Sequence, residues 1–172
     1  ADLGAALVRF DELSRPARRL ENAASRVCAH YRASFAARDW KAAADMLAVN
    51  LHNEDRRSVV NAGIRLGRNS ALEDLRAAAE LGIPYFTAEG IATRGERLAL
   101  TLGRTPYDER PGSFLVDTLQ IAAIDADGRI ATVVLYDPDD HDAAYAELDA
   151  RYLAGEAAPH AQTWSAIAEM YA

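Results

Sequence analysis

Residues 82–105 read GIPYFTAEGIATRGERLALTLGRT, and the character of the chain changes here. Before Gly82 apolar residues recur at helical spacing; after it they alternate with polar ones. IPYFTAEGIATR and ERLALTLGRT read as two strands joined by a turn at Gly95. GSFLVDTLQIAAI and RIATVVLYD read as a second hairpin around DADG, a strong turn signal. Upstream, the spacing of Leu20, Ala24, Val27, Tyr31 and Phe35 predicts a long helix from about Pro16 to Ala37. Asp39 is placed to cap a short helix, WKAAADMLA, and residues 49–55 form a strand. Ser70, with Glu73 three residues on, predicts a capped helix over Ala71–Leu81. DPDD opens a last helix, HDAAYAELDARYL. Helices first and antiparallel strands later give an α+β chain: a curved, mostly antiparallel sheet wrapped around N-terminal helices, with an interior pocket between them.

Composition narrows the function. The 172 residues suit one domain, large enough to fold on its apolar core alone. A single cysteine, Cys28, allows no internal disulfide and fits a reducing compartment. The net charge of −7 argues against nucleic-acid binding, which rests on lysine and arginine against phosphate. No apolar run approaches a membrane span, and the acidic opening residues do not resemble a signal peptide. A cytoplasmic protein without membrane partners is expected.

Several chemistries are set aside. There is no glycine-rich phosphate loop and no nucleophile elbow. DPDDHD lacks the glycine and glutamate of a calcium loop, and its acids suit a helix N-terminus. No metal and no cofactor are expected. Cys28, mid-helix, reads as a structural thiol, Trp40 as a helix-corner residue, and DERPG at 108–112 as a loop. Trp164, near the C-terminus, reads as an aromatic seeking a partner.

The two ends of the chain resemble each other. Asp2 falls on Asp142, Ala6 on Ala146, Val27 on Ile167 and Tyr31 on Tyr171, an offset of 140 residues. That offset suggests one unit of a tandem array. Residues 1–14 would be the last helix of a preceding unit, 15–155 the domain, and 156–172 the first helix of a following unit.

Between the helical part and the sheet lies NLHNEDRR, residues 50–57. Residues two apart on a strand share a face. If Leu51 points at the core, Asn53 and Asp55 follow it inward, with Arg57 placed to partner Asp55. His52, Glu54 and Arg56 then face away. Tyr31 lies on the helix stripe, where core packing competes with a role in the pocket.

HYRASFAARDWKAAADMLAVNLHNEDRR, followed by GRNSALEDL and the DADGRIATVVLYDPDD hairpin, resembles the SnoaL-like branch of the nuclear-transport-factor-2-like superfamily over about residues 17–153. The resemblance implies a cone-like α+β barrel with an interior pocket, commonly dimeric. Members include steroid isomerases, polyketide cyclases and non-enzymatic binding domains, some in tandem within larger bacterial regulators. Carried over residue by residue, the isomerases' oxyanion-binding tyrosine falls on Tyr31 and their general base on Asp55. Their second oxyanion donor, an aspartate, falls on Gln120. Two functions are therefore weighed: a small-molecule-binding sensory or accessory unit, and an enzyme moving a proton on a carbonyl compound with Asp55 as base. An oligomerisation module is a third. The expected ligand is small and apolar or carbonyl-containing, and the expected partner is a second copy of the chain. Arg57, Asn53, Phe35 and Gln120 are expected to bind that ligand. Leu98, Leu100 and Leu102 on one strand, and Val133, Leu135 and Asp137 on another, are expected to line its pocket.

Overall fold

The computed structural model describes residues 20–106, 115–160 and 163. The first helix, α1 (Ala23–Ala36), begins where Asn22 closes a capping box with Ser25. The Asn22 amide also donates to the carbonyls of Gly95 (3.0 Å) and Leu98 (2.8 Å), locking the helix start onto the turn between two later strands. Capping therefore overrides the stripe: the helix starts at Ala23 rather than near Pro16, and Leu20 precedes it, exposed.

The ARDW corner follows from one residue. Arg38 turns left-handed, φ 57°, and its guanidinium donates to the Ile83 carbonyl at 2.7 Å while lying 4.5 Å over the Phe35 ring. Asp39 then caps α2 (Trp40–Asp45) by accepting from the Ala42 N–H. Phe35, fully buried, stacks on Phe86 and meets the edge of Trp40, so Trp40 does pack the corner.

The remaining elements are β1 (Leu47–Asp55), β2 (Gly63–Leu66), α3 (Arg68–Glu80), β3 (Thr87–Arg94), β4 (Leu98–Pro106), β5 (Leu115–Ile124), β6 (Ile130–Tyr136) and α4 (His141–Ala154), with a 3₁₀ turn at Ala158–His160. The strands make one open sheet in the order β2-β1-β6-β5-β4-β3. Only β1 and β6 run parallel; the other neighbours are antiparallel. The period switch after Gly82 is thus the start of the sheet's long meander. In the DADG turn the Asp125 carboxylate accepts from the N–H groups of Asp127 and Arg129.

Two helix caps differ from expectation. Helix α3 begins at Arg68 because Gly67, φ 87°, makes the turn and donates to the Leu51 carbonyl at 2.7 Å. Ser70 lies inside the helix and accepts a hydrogen bond from Arg65 instead. Helix α4 has Asp140 at its N-cap without a side-chain cap bond; Asp142 in the first turn is left to answer the helix dipole.

Both faces of the sheet are covered. Helices α1–α3 pack on the concave face through Cys28, Phe35, Leu47, Leu51, Leu72, Leu75 and Ile130. Helix α4 packs on the convex face through Ala144 and Leu148, against Leu98, Leu100, Leu119, Ile121 and Val134. Leu98, Leu100 and Leu102 therefore face α4, not the pocket, which corrects the expectation for this strand. The concave positions of β4 are Ala99, Thr101, Gly103 and Thr105.

After α4 the chain still belongs to the domain. Glu156 accepts from the N–H groups of Glu96 and Arg97, and Ala157 is buried. Residues 1–14, most of 156–172, Trp164 and the DERPG segment lie outside the described residues. Among the described residues no helix is long and apolar enough to cross a membrane.

The Asn22 side chain joins the start of α1 to the β3–β4 turn: it accepts from the Ser25 N–H and donates to the carbonyls of Gly95 and Leu98. Asn22→Ala removes the cap and strands two carbonyls, and is expected to cost about 2 kcal/mol. Urea denaturation checks this; a loss below a few tenths of a kcal/mol would remove the lock from the account.

Candidate functional site

A cavity of about 270 Å³ lies between α1 and the concave face. It exists because the concave side chains there are small. Ala88, Gly103 and Thr118 are cross-strand neighbours on β3, β4 and β5, and all three line it. One further row crosses the sheet: Thr101, Gln120, Leu135 and Asp55 are successive partners on β4, β5, β6 and β1.

Tyr31, Asn53, Arg57, Gln120 and Leu135 line the cavity, as does Val133. Sequence reasoning missed Arg32, Cys28 and Phe86, which line it too. Burial, helped by Cys28 and Asp74, raises the Tyr31 pKa, so its hydroxyl stays protonated at neutral pH and can donate. Burial pushes the Cys28 thiol up to about 11, leaving it neutral. The Asn53 side-chain oxygen is buried without a hydrogen-bond partner.

Asp55 is on the inner face, 6% exposed, as parity from Leu51 predicts. Its carboxylate is turned onto Arg57 and does not reach the cavity wall. Arg57 Nε donates to Oδ1 and Nη2 to Oδ2, each at 2.8 Å. The N–H groups of Arg57 (3.1 Å) and Ala62 (3.2 Å) donate to the same carboxylate. The hydrogen bonds from Arg57 hold the Asp55 pKa down at about 2. The pair thus presents Arg57 to the cavity and keeps Asp55 behind it.

Glu54 and Arg56 face the other way. Arg56 pairs with Glu54 at 2.7 Å, reaches Glu147 on α4 at 3.2 Å and donates to the Tyr136 hydroxyl at 2.8 Å. That cluster ties the end of β1 to the convex-face helix.

Three expected ligand-binding residues lie elsewhere. Phe35 is enclosed by Trp40, Phe86 and Arg38, and its stacking partner Phe86 takes the place at the wall. Leu100 is under α4. Asp137 accepts from the Ser58 N–H at 2.7 Å, pinning the same loop that Asp55 holds from the other end.

Solved structures match this arrangement of helices on a curved sheet. A protein with a cystatin-like fold from Methylobium petroleophilum PM1 superposes with a TM-score of 0.57 at 16% identity, over 68% of this chain and 77% of its own. An NTF-2-like protein from Burkholderia xenovorans LB400 gives 0.51 at 18% identity, over 69% and 86%. This is the nuclear-transport-factor-2-like fold. A third protein of this similarity, from Mycobacterium tuberculosis, was solved in complex with estradiol-17β-hemisuccinate; it gives 0.51 at 14% identity, over 70% of this chain and 97% of its own. No family model matches the sequence, and no curated protein matches it. The resemblance noted from the ARDW corner and the NEDRR strand end holds for the fold.

The clamp has a pH signature. A carboxylate with a depressed folded-state pKa contributes stability above its unfolded value, and that stability is lost as pH falls through the folded value. For Asp55 the window runs from the usual 3.8 down to about 2. Asp55→Asn removes a buried partner of Arg57 and is expected to cost about 3 kcal/mol near neutral pH. The gap between wild type and variant should shrink by about 2 kcal/mol as the pH is lowered from 6 to 2. Denaturation midpoints at both pH values check this; a gap that does not change with pH would remove the clamp.

Proposed function

We propose that the chain is a small-molecule-binding domain, a sensory or accessory unit, whose ligand occupies the cavity between α1 and the concave face. The state of Asp55 carries this reading. A general base works best with a pKa near the working pH and a free lone pair aimed at its substrate. Asp55 has its carboxylate filled by Arg57 and two backbone N–H groups, and a pKa of about 2. Proton transfer by Asp55 is therefore disfavoured, and Gln120 stands where a second acid would be needed. The lining favours binding: apolar Leu51, Phe86, Val133 and Leu135 with a few polar groups, Tyr31, Asn53 and Gln120, to orient a carbonyl or hydroxyl.

The volume sets the scale of the ligand. Ligand pockets run from roughly 300 to 1,000 Å³, so about 270 Å³ suits a compact molecule of one or two rings. Pairing of two chains would have to leave the centre of the convex face aside, because α4 covers it. Exposed Val49, Ile64 and Leu66 on the β1–β2 hairpin form one apolar surface open to a second copy.

Val133→Phe extends a ring into the cavity from a strand that otherwise keeps its pairing. With 2-naphthol as probe, saturable fluorescence change is expected for wild type, and affinity at least about tenfold weaker for the variant. Near-unchanged circular dichroism of the variant is expected. Equal binding by both proteins would place the ligand elsewhere and overturn the reading.

A further inference from the structure

Arg32 follows Tyr31 on α1 and lines the same cavity. Among the described residues it makes no hydrogen bond and no ion pair. The cavity's other cation, Arg57, is committed to Asp55 through two side-chain hydrogen bonds. Among the described residues no aspartate or glutamate lines the cavity. Cys28, one turn before Arg32, is no counterion, because its thiol stays neutral at physiological pH. Arg32 and Ala88 also border a groove along α1 and β3 that carries Glu21 and Glu89, so the guanidinium stands between that groove and the cavity.

A guanidinium has five N–H donors and does not lose its charge in a protein. Burial of Arg32 disfavours the charged form, as the downward pressure on its pKa shows, and no acid among the described cavity residues compensates. Charge-assisted bonds to a planar carboxylate are the compensation that best fits an arginine. Among the described residues the excess on the cavity wall is a single positive charge, since Arg57 and Asp55 cancel. One negative charge answers it; a doubly charged phosphate would leave charge unanswered in a site with no phosphate-binding loop.

We infer that the cavity's ligand is a compact carboxylic acid, bound as its anion with the carboxylate on Arg32 and its apolar body against Phe86 and Leu135. This rests on the reading of the cavity as a ligand site.

The test uses 4-hydroxyphenylacetate and its neutral amide, 4-hydroxyphenylacetamide, titrated calorimetrically into the whole chain. Wild type is expected to bind the acid at least about tenfold tighter than the amide. Arg32→Met is expected to lose that preference while still binding the amide, which also reports that its cavity is folded. Arg32→Lys, which keeps the charge, is expected to keep part of the preference. Equal affinity of wild type for acid and amide would overturn the anion inference and leave the cavity reading standing, as would an acid preference that survives in Arg32→Met. If neither probe binds wild type and 2-naphthol does not bind either, both fall.

Discussion

The carboxylate of Asp55 decides what the end of β1 is for. Four hydrogen bonds converge on it, two from the Arg57 side chain and two from backbone N–H groups. An isolated surface pair of this kind contributes little. This one is buried on the acid's side, so leaving Arg57 without it strands a charge in a poorly solvated place. The same bonds close the loop between β1 and β2, orient Arg57 and withdraw Asp55 from the cavity wall. A residue placed to take a proton is instead an anchor.

The second constraint is that the sheet has two apolar faces. With helices on both, strand β4 carries large residues toward α4 and small ones toward the cavity: leucines at 98, 100 and 102, then Ala99, Thr101, Gly103 and Thr105. The cavity is where Ala88, Gly103 and Thr118 withhold volume from the concave core.

Much of this fold is legible in the sequence. The change of period at Gly82, the ARDW corner and the DADG turn located the elements. Parity from Leu51 separated Asp55 from Glu54 and Arg56 correctly. The face of β4 is not legible from its leucines, which invite assignment to the pocket; the small residues between them are the signal that points to a cavity. Local spacing misplaces the start of α1, where a distant partner decides it. Asn22 caps α1 while bonding to carbonyls more than seventy residues away, and local spacing carries no trace of that. Arg32 was missed because a charged residue beside an apolar stripe usually reads as solvated. Its position on the wall depends on how α1 crosses the sheet, a tertiary fact.

The central claim is that Asp55 is a saturated anchor, ionised throughout the physiological range. Its side-chain carboxyl carbon, followed by ¹³C NMR through a pH titration of the whole chain, reports this directly. The account predicts a midpoint of about 2, well below the usual 3.8. A midpoint above the usual value would mean a carboxyl in an apolar site without its arginine, available to take a proton from a ligand, and would contradict the account.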